Sequence, residues 1–282
     1  MRIMSRGGLT TLLCAMLAAL AATSGCGPSV DYMSAERVCN GLVFSLDGVG
    51  GYNWGPRWLR EGLEEGGVKY GIYIFDWGHG PAGMFVADLW DVEGNKKRAG
   101  ELAELVERYQ KSYPGRPVYL IGHSGGGGMV VFALEEMKAG VQVDDVFLLA
   151  PALDPDRNLA PALAHVRNRC YVTYSKADLG LMGLGTTIFT TMDGKHKAGA
   201  GLVGFNMPAE LSEGERVQYG KLLQAGWEGS LLKVGHFGGH MGWTSAGFAK
   251  EIIAPILLGR EAGPIFKPME EKEKKVARKA SL

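Results

Sequence analysis

The sequence predicts an α/β fold: a single doubly wound, mostly parallel sheet of about six strands, with helices on both faces. Three observations carry this. Short apolar runs alternate along the chain with amphipathic stretches of helical period. The runs are apolar at nearly every position rather than at every second one, so both faces of each strand must be covered, as crossover helices do. Finally, 282 residues with 46% hydrophobic content suffice for one large core, and no interior stretch reads as a linker.

The elements follow in order. Leu42–Leu46 is the first strand, ended by Asp47-Gly48-Val49-Gly50-Gly51. A helix follows, with Pro56 in its first turn, Trp58, Leu59 and Leu63 on one face, and Gly66-Gly67 closing it. Trp54 and Trp58, at helical spacing, are expected in the core, although their place beside the turn would also suit a substrate pocket. Residues 68–75 form the second strand. A helix over 95–113 carries Ala99, Leu102, Leu105, Val106 and Tyr109 on its apolar stripe. The third strand is 117–121, followed by a helix over 129–138 with Gly140 as its left-handed stop. The fourth strand (146–149), a helix (159–166) and the fifth strand (170–174) come next. A Gly-rich interval then leads to a sixth strand at 231–234 and a last helix at 245–258. The folded domain is thus placed at 41–262, and the charge-rich 263–282 reads as a solvated, flexible tail.

The first segment stands apart. Arg2 and Arg6 precede an apolar run, 9–22, too short and too Ala-rich for a stable membrane span. It ends in Thr23-Ser24-Gly25-Cys26, small residues before a Cys. This resembles a bacterial lipoprotein signal, apart from Thr23, where an aliphatic residue is usual. The resemblance implies a signal peptide over 1–25, lipid attachment at Cys26, a tether to residue 40, and an exported protein held on a membrane. The alternative is an ordinary secretory signal cut near Gly25. With 30 basic and 30 acidic residues the formal net charge is zero, so nothing draws the chain as a whole to nucleic acid.

The chemistry is concentrated in Gly122-His123-Ser124-Gly125-Gly126, which matches the Gly-x-Ser-x-Gly nucleophile elbow. In a chain with 43 glycines the five-residue pattern alone carries little weight; its place does. It lies directly after an apolar strand and before a helix, where a serine can be held in a strained turn with its hydroxyl at the positive end of the helix. The two glycines allow the flanking backbones to approach.

From this pattern, the Asp47-Gly48-Val49-Gly50 turn, and acid and base candidates in the order Ser, Asp, His, the chain resembles the α/β-hydrolase superfamily over residues 40–258. It departs in having no room for the two strands that usually come first, so the resemblance implies a pared-down sheet of order 2-1-3-4-5-6. It also implies Ser124 as nucleophile and an oxyanion hole built from the backbone N–H groups of Gly125 and Val49. The base is expected after the last strand: His240, with His236 as the alternative. The acid is expected after the fifth strand: Asp178, with Asp154 as the alternative and Asp193 more remote. Cys39 and Cys170 would begin strands three places apart, at roughly 4.8 Å each, about twice the reach of a disulfide. Both are therefore expected as buried free thiols. No Cys/His cluster has metal spacing, so neither metal nor cofactor is expected.

The expected function is hydrolysis of a small-molecule or lipid ester, with peptidase, thioesterase and acyltransferase open to the same triad. A rival from another class is a surface-anchored binding module that kept the fold and lost a triad member, but every role here has a candidate. A nucleotide-binding reading of the Gly-rich turn fails for want of a basic residue near Met129.

Overall fold

Leu42–Leu46 (β1) is buried at every position, and its alternating side chains serve two different layers. Leu42, Phe44 and Leu46 join the same core as Val118, Leu120, Val146 and Leu148. The intervening Val43 and its neighbours Tyr119 and Phe147 point to the other face, as the two-residue period requires. There the Tyr119 hydroxyl donates to the Leu257 carbonyl in the last helix at 3.1 Å. Each fully buried Leu or Phe contributes about 1.5–3 kcal/mol, so the two layers hold the sheet from both sides.

The structure, a computed structural model, describes residues 30–50, 52–80, 85–179, 191–194, 198–260 and 263–269, without the side chains of Phe85, Val86, Asp178 and Leu179. The chain divides into Met1–Tyr32 and Met33–Leu282, and the fold described is that of the second unit. The expected signal segment and Cys26 lie outside the described residues.

The elements are α1 (Ala35–Val38), β1, α2 (Trp54–Glu65), β2 (Gly71–Ile74), α3 (Phe85–Trp90), α4 (Val92–Ser112), β3 (Val118–His123), α5 (Gly125–Glu136), β4 (Val143–Leu149), α6 (Ala160–Ala164) and β5 (Val166–Tyr174). Then come α7 (Ala200–Val203), α8 (Glu213–Tyr219), β6 (Leu222–Gly226), α9 (Ala246–Phe248), a π-turn (Ala249–Ile253), α10 (Ala254–Leu257) and β7 (Lys267–Pro268). The sheet order is β2-β1-β3-β4-β5-β6-β7, parallel throughout except for the antiparallel β6–β7 pair. Leu46 is level with Gly122, and Gly122 with Leu148. The loops after β1, β3 and β4 therefore leave from one edge, the place where open α/β sheets bind ligands.

Four expectations are corrected. The sixth strand is Leu222–Gly226; residues 231–234 belong to the 3-10 helix Gly229–Val234. A seventh strand arises inside the expected tail, where Lys267 and Pro268 pair with Gln224 and Leu223. Cys39 is exposed, at the end of α1, although it and the buried Cys170 are both free. Trp54 and Trp58 are 56% and 42% exposed, not core.

Helix α2 crosses the C-terminal helical segment very closely. A Cβ on Gly62 would lie 2.1 Å from the Ala246 carbonyl oxygen, and one on Gly66 would lie 2.4 Å from the Ala254 Cβ.

Candidate active site

β3 ends at His123 and α5 begins at Gly125, leaving Ser124 to make the whole turn. It does so at φ 54° and ψ −118°, a conformation that costs a residue with a Cβ about 1–3 kcal/mol. Three backbone hydrogen bonds hold it there. The Ser124 N–H donates to the Leu149 carbonyl at 2.9 Å, and its own carbonyl accepts from the N–H groups of Gly127 and Ala152, each at 3.0 Å. The flanking glycines are required by contact. A Cβ on Gly122 would sit 2.3 Å from the Gly126 carbonyl oxygen, and one on Gly126 would sit 2.4 Å from the Asp47 carbonyl oxygen. The second of these contacts places the turn after β1 against the elbow.

That turn lies within reach of Ser124. A Cβ built on Gly48 would be 3.6 Å from the Ser124 Oγ, and one built on Gly125 would be 2.9 Å from a methyl of Val49. Ser124, Gly125 and Val49 are thus brought together. The Trp77 indole N–H donates to the Asp47 carbonyl at 2.9 Å and closes the back of the turn.

The two histidines of the loop 235–243 differ sharply in surroundings. His236 is fully buried; its Nδ1 accepts from the Gly238 N–H at 3.0 Å, and its ring meets Trp243 edge to face at 4.1 Å between centroids. Its carbonyl accepts from the Trp227 indole N–H at 3.1 Å. His240 is half-buried and opens the 3-10 helix His240–Thr244. Its carbonyl lies 3.2 Å from the His123 Nε2, and the two rings are 4.6 Å apart, so it stands beside the residue that precedes Ser124.

His123 is itself buried. Burial is the main cause holding its pKa below the usual 6.5, reinforced by His240 and opposed by Asp47, whose carboxylate lies 3.7 Å from Nδ1. The sign for stability follows directly. Below about pH 6.5 the unfolded chain binds a proton that the native ring refuses, so this contribution is intact above that pH and is lost as pH falls. At most it changes by about 1.4 kcal/mol per pH unit. His123→Asn should therefore show a shallower loss of urea midpoint between pH 7.5 and 5 than the wild type. Parallel curves would show that the ring does not carry this slope.

Asp178 lies in the 3-10 helix Lys176–Leu179, directly after β5; its side chain is outside the described residues. The turn is tied to the histidine loop, because the Ser175 hydroxyl donates to the Gly238 carbonyl at 2.7 Å. Asp154 is occupied in its own turn, accepting from the Asp156 N–H at 2.8 Å. Asp193 accepts from the Asp154 N–H at 3.2 Å and stands 3.5 Å from the Arg157 guanidinium. These two carboxylates therefore stitch the segment 153–157 together.

A further group lies against the turn after β1. His79, after β2, has one ring nitrogen 2.8 Å from Asp88 and the other 2.8 Å from Asp91. Asp88 is fully buried and reaches the Gly50 N–H at 2.8 Å. No motif spacing announces this trio. Among the described residues, no group of three His, Cys, Asp or Glu side chains could hold a metal ion.

A profile of the serine aminopeptidase (S33) family matches residues 41–182, half of the chain. The match runs from β1 through the turn after β5; it includes Val49, Ser124 and Asp178 and stops short of His240. No curated protein sequence matches this one. Similar solved structures include an uncharacterized protein from Bacillus cereus, 17% identical with a TM-score of 0.34, covering 57% of this chain and 50% of that one. A lipase-esterase related protein from Clostridium acetobutylicum is 12% identical with a TM-score of 0.45, covering 81% and 97%. Aspergillus fumigatus lipase B is 13% identical with a TM-score of 0.44, covering 89% and 58%. The chain thus spans half the length of the Bacillus cereus protein it matches. By its family match and its sheet, the chain belongs to the serine aminopeptidase S33 family of the α/β-hydrolase superfamily.

Proposed function

We propose that the protein is a serine hydrolase that cleaves carboxylic esters through an acyl-enzyme, with Ser124 as nucleophile, His240 as base and Asp178 as acid. The observation that carries this is the strained backbone of Ser124, sustained by three hydrogen bonds and two glycines at a strand-to-helix turn. In the first half-reaction the Ser124 Oγ attacks the ester carbonyl carbon while its proton passes to the His240 ring. The carbonyl oxygen gains negative charge and is met by the N–H groups of Val49 and Gly125; losing one such donor typically costs about 10²–10³-fold. Collapse breaks the carbon–oxygen bond to the alcohol, which leaves with the proton from His240. Water then repeats the sequence on the acyl-enzyme and frees the acid. Asp178 would orient the ring and balance its charge.

The preference for esters with apolar groups rests on the rim. Tyr52 and Trp54, whose rings lie 5.2 Å apart, follow the Val49 turn, and Phe237 and Met241 flank His240; all four are exposed. A lipid or small apolar ester fits this setting. We further propose that the chain is exported and held on a membrane by lipid at Cys26, on the strength of the N-terminal pattern; no helix among the described residues is long and apolar enough to cross a membrane.

The test is labelling with a fluorophosphonate, followed by peptide mass mapping. The adduct is expected on Ser124 of the wild type and on no residue of Ser124→Ala. A wild type that takes no label, and hydrolyses neither p-nitrophenyl butyrate nor aminoacyl p-nitroanilides, would reduce the protein to a scaffold.

A further inference from the structure

The turn that carries Val49 is fixed at both ends by the loop and helices that follow β2. On one side the Trp77 indole holds the Asp47 carbonyl at 2.9 Å. On the other, one oxygen of the Asp88 carboxylate accepts from the Gly50 N–H at 2.8 Å. Gly50 has φ 101°, so its N–H is aimed by a conformation that a side chain would resist. The second oxygen of Asp88 accepts from the His79 N–H at 2.7 Å and meets the His79 Nδ1 at 2.8 Å. The opposite nitrogen of that ring meets Asp91 at 2.8 Å. Asp91 in turn caps α4 by accepting from the Gly94 N–H at 2.9 Å, lies 3.5 Å from the Arg98 guanidinium, and is followed by Asn95, whose amide donates to the Asp88 carbonyl at 2.6 Å.

We propose that Asp88, backed by His79 and Asp91, is a positioning residue that aims the Val49 N–H at the oxygen on which charge develops. The inference rests on the serine-hydrolase reading above. Its chemistry is specific: each partner of the Asp88 carboxylate among the described residues is a donor, so only an acceptor at both oxygens satisfies them. An amide there sets an N–H against one of those donors. A fully buried carboxylate with this many aligned donors costs too much to bury merely to fill space, and it secures a segment that otherwise has the freedom of two glycines, Gly48 and Gly50.

The test compares wild type, Asp88→Asn and His79→Gln on one p-nitrophenyl ester and its thiono analogue, in which sulfur replaces the carbonyl oxygen. Sulfur is a poor acceptor for N–H groups, so the ratio of oxo to thiono rates reads how well the donors are aimed. Asp88→Asn is expected to lower kcat about 10²-fold with KM changed less than threefold, and to shrink the oxo-to-thiono ratio at least tenfold. His79→Gln, at a more exposed position, is expected to move both in the same direction by less, and it decides the matter if Asp88→Asn does not fold. An unchanged ratio overturns the inference, whether kcat holds or falls, because a merely structural role would lower both rates together. Failure of the hydrolase reading shows separately, as a wild type with no Ser124-dependent turnover.

Discussion

Replacing Ser124 with Gly is expected to abolish hydrolysis and, at the same time, to make the protein more stable. Loss of the proposed nucleophile should lower kcat by about 10⁴-fold or more, with residual turnover coming from the oxyanion donors and binding alone. The stability gain comes from the backbone. At φ 54° and ψ −118° a serine Cβ is strained by about 1–3 kcal/mol, and glycine removes that strain. The greater freedom of glycine in the unfolded chain takes back about 0.4–1 kcal/mol, so a net gain near 1 kcal/mol, or a rise in Tm of about 2–4 °C, is expected. Ser124→Ala keeps the Cβ and should lose the same activity without the gain. Thermal scans of the three proteins, alongside ester hydrolysis, check both halves. A Gly variant no more stable than the Ala variant would show that the elbow stores no strain.

The second large effect separates the two histidines. His240→Gln should lower kcat by about 10⁴-fold and leave Tm within a degree or two, since the ring is half-buried and its backbone carbonyl still serves His123. His236→Ala should do the reverse. Removing a ring packed edge to face on Trp243 leaves a cavity and costs about 2–4 kcal/mol, while the folded fraction keeps turnover within tenfold of wild type. Urea unfolding and kcat on matched preparations give the answer. If the folded His236 variant is inactive and the His240 variant is not, the base has been misassigned.

The parts of this molecule that the sequence made plain are those where one residue type meets one physical demand. β1, β3 and the second half of β4 are apolar on both faces because both faces are covered, and the elbow is readable because its strain requires glycine on either side. Elsewhere tertiary context won. Residues 125–128 are all glycine, so the propensity argument begins the helix at Met129; α5 nevertheless starts at Gly125, buried against the neighbouring loops. β6 has only Leu222 and Ala225 buried, whereas the more apolar Leu231, Leu232 and Val234 lie in a 3-10 helix. Strand β5 begins four residues early, at Val166, through a polar Arg-Asn-Arg stretch that lies at a break in register and is held by the Asp144 and Asp145 carboxylates. Asp88 was invisible for another reason: its partners come from turns 9 and 38 residues away, and no local pattern records such a meeting.

The close crossing at Gly62 has a mechanical consequence. Helix α2 starts just after the turn bearing Val49, and the segment that Ala246 opens comes just after His240. With 2.1 Å between the Ala246 oxygen and any methyl at position 62, these two arms are riveted to each other where they cross. A wedge driven in at the rivet is expected to swing the Val49 turn and the His240 loop together, as the jaws of pliers follow their pivot. A fault at this joint would thus be felt at both loops at once.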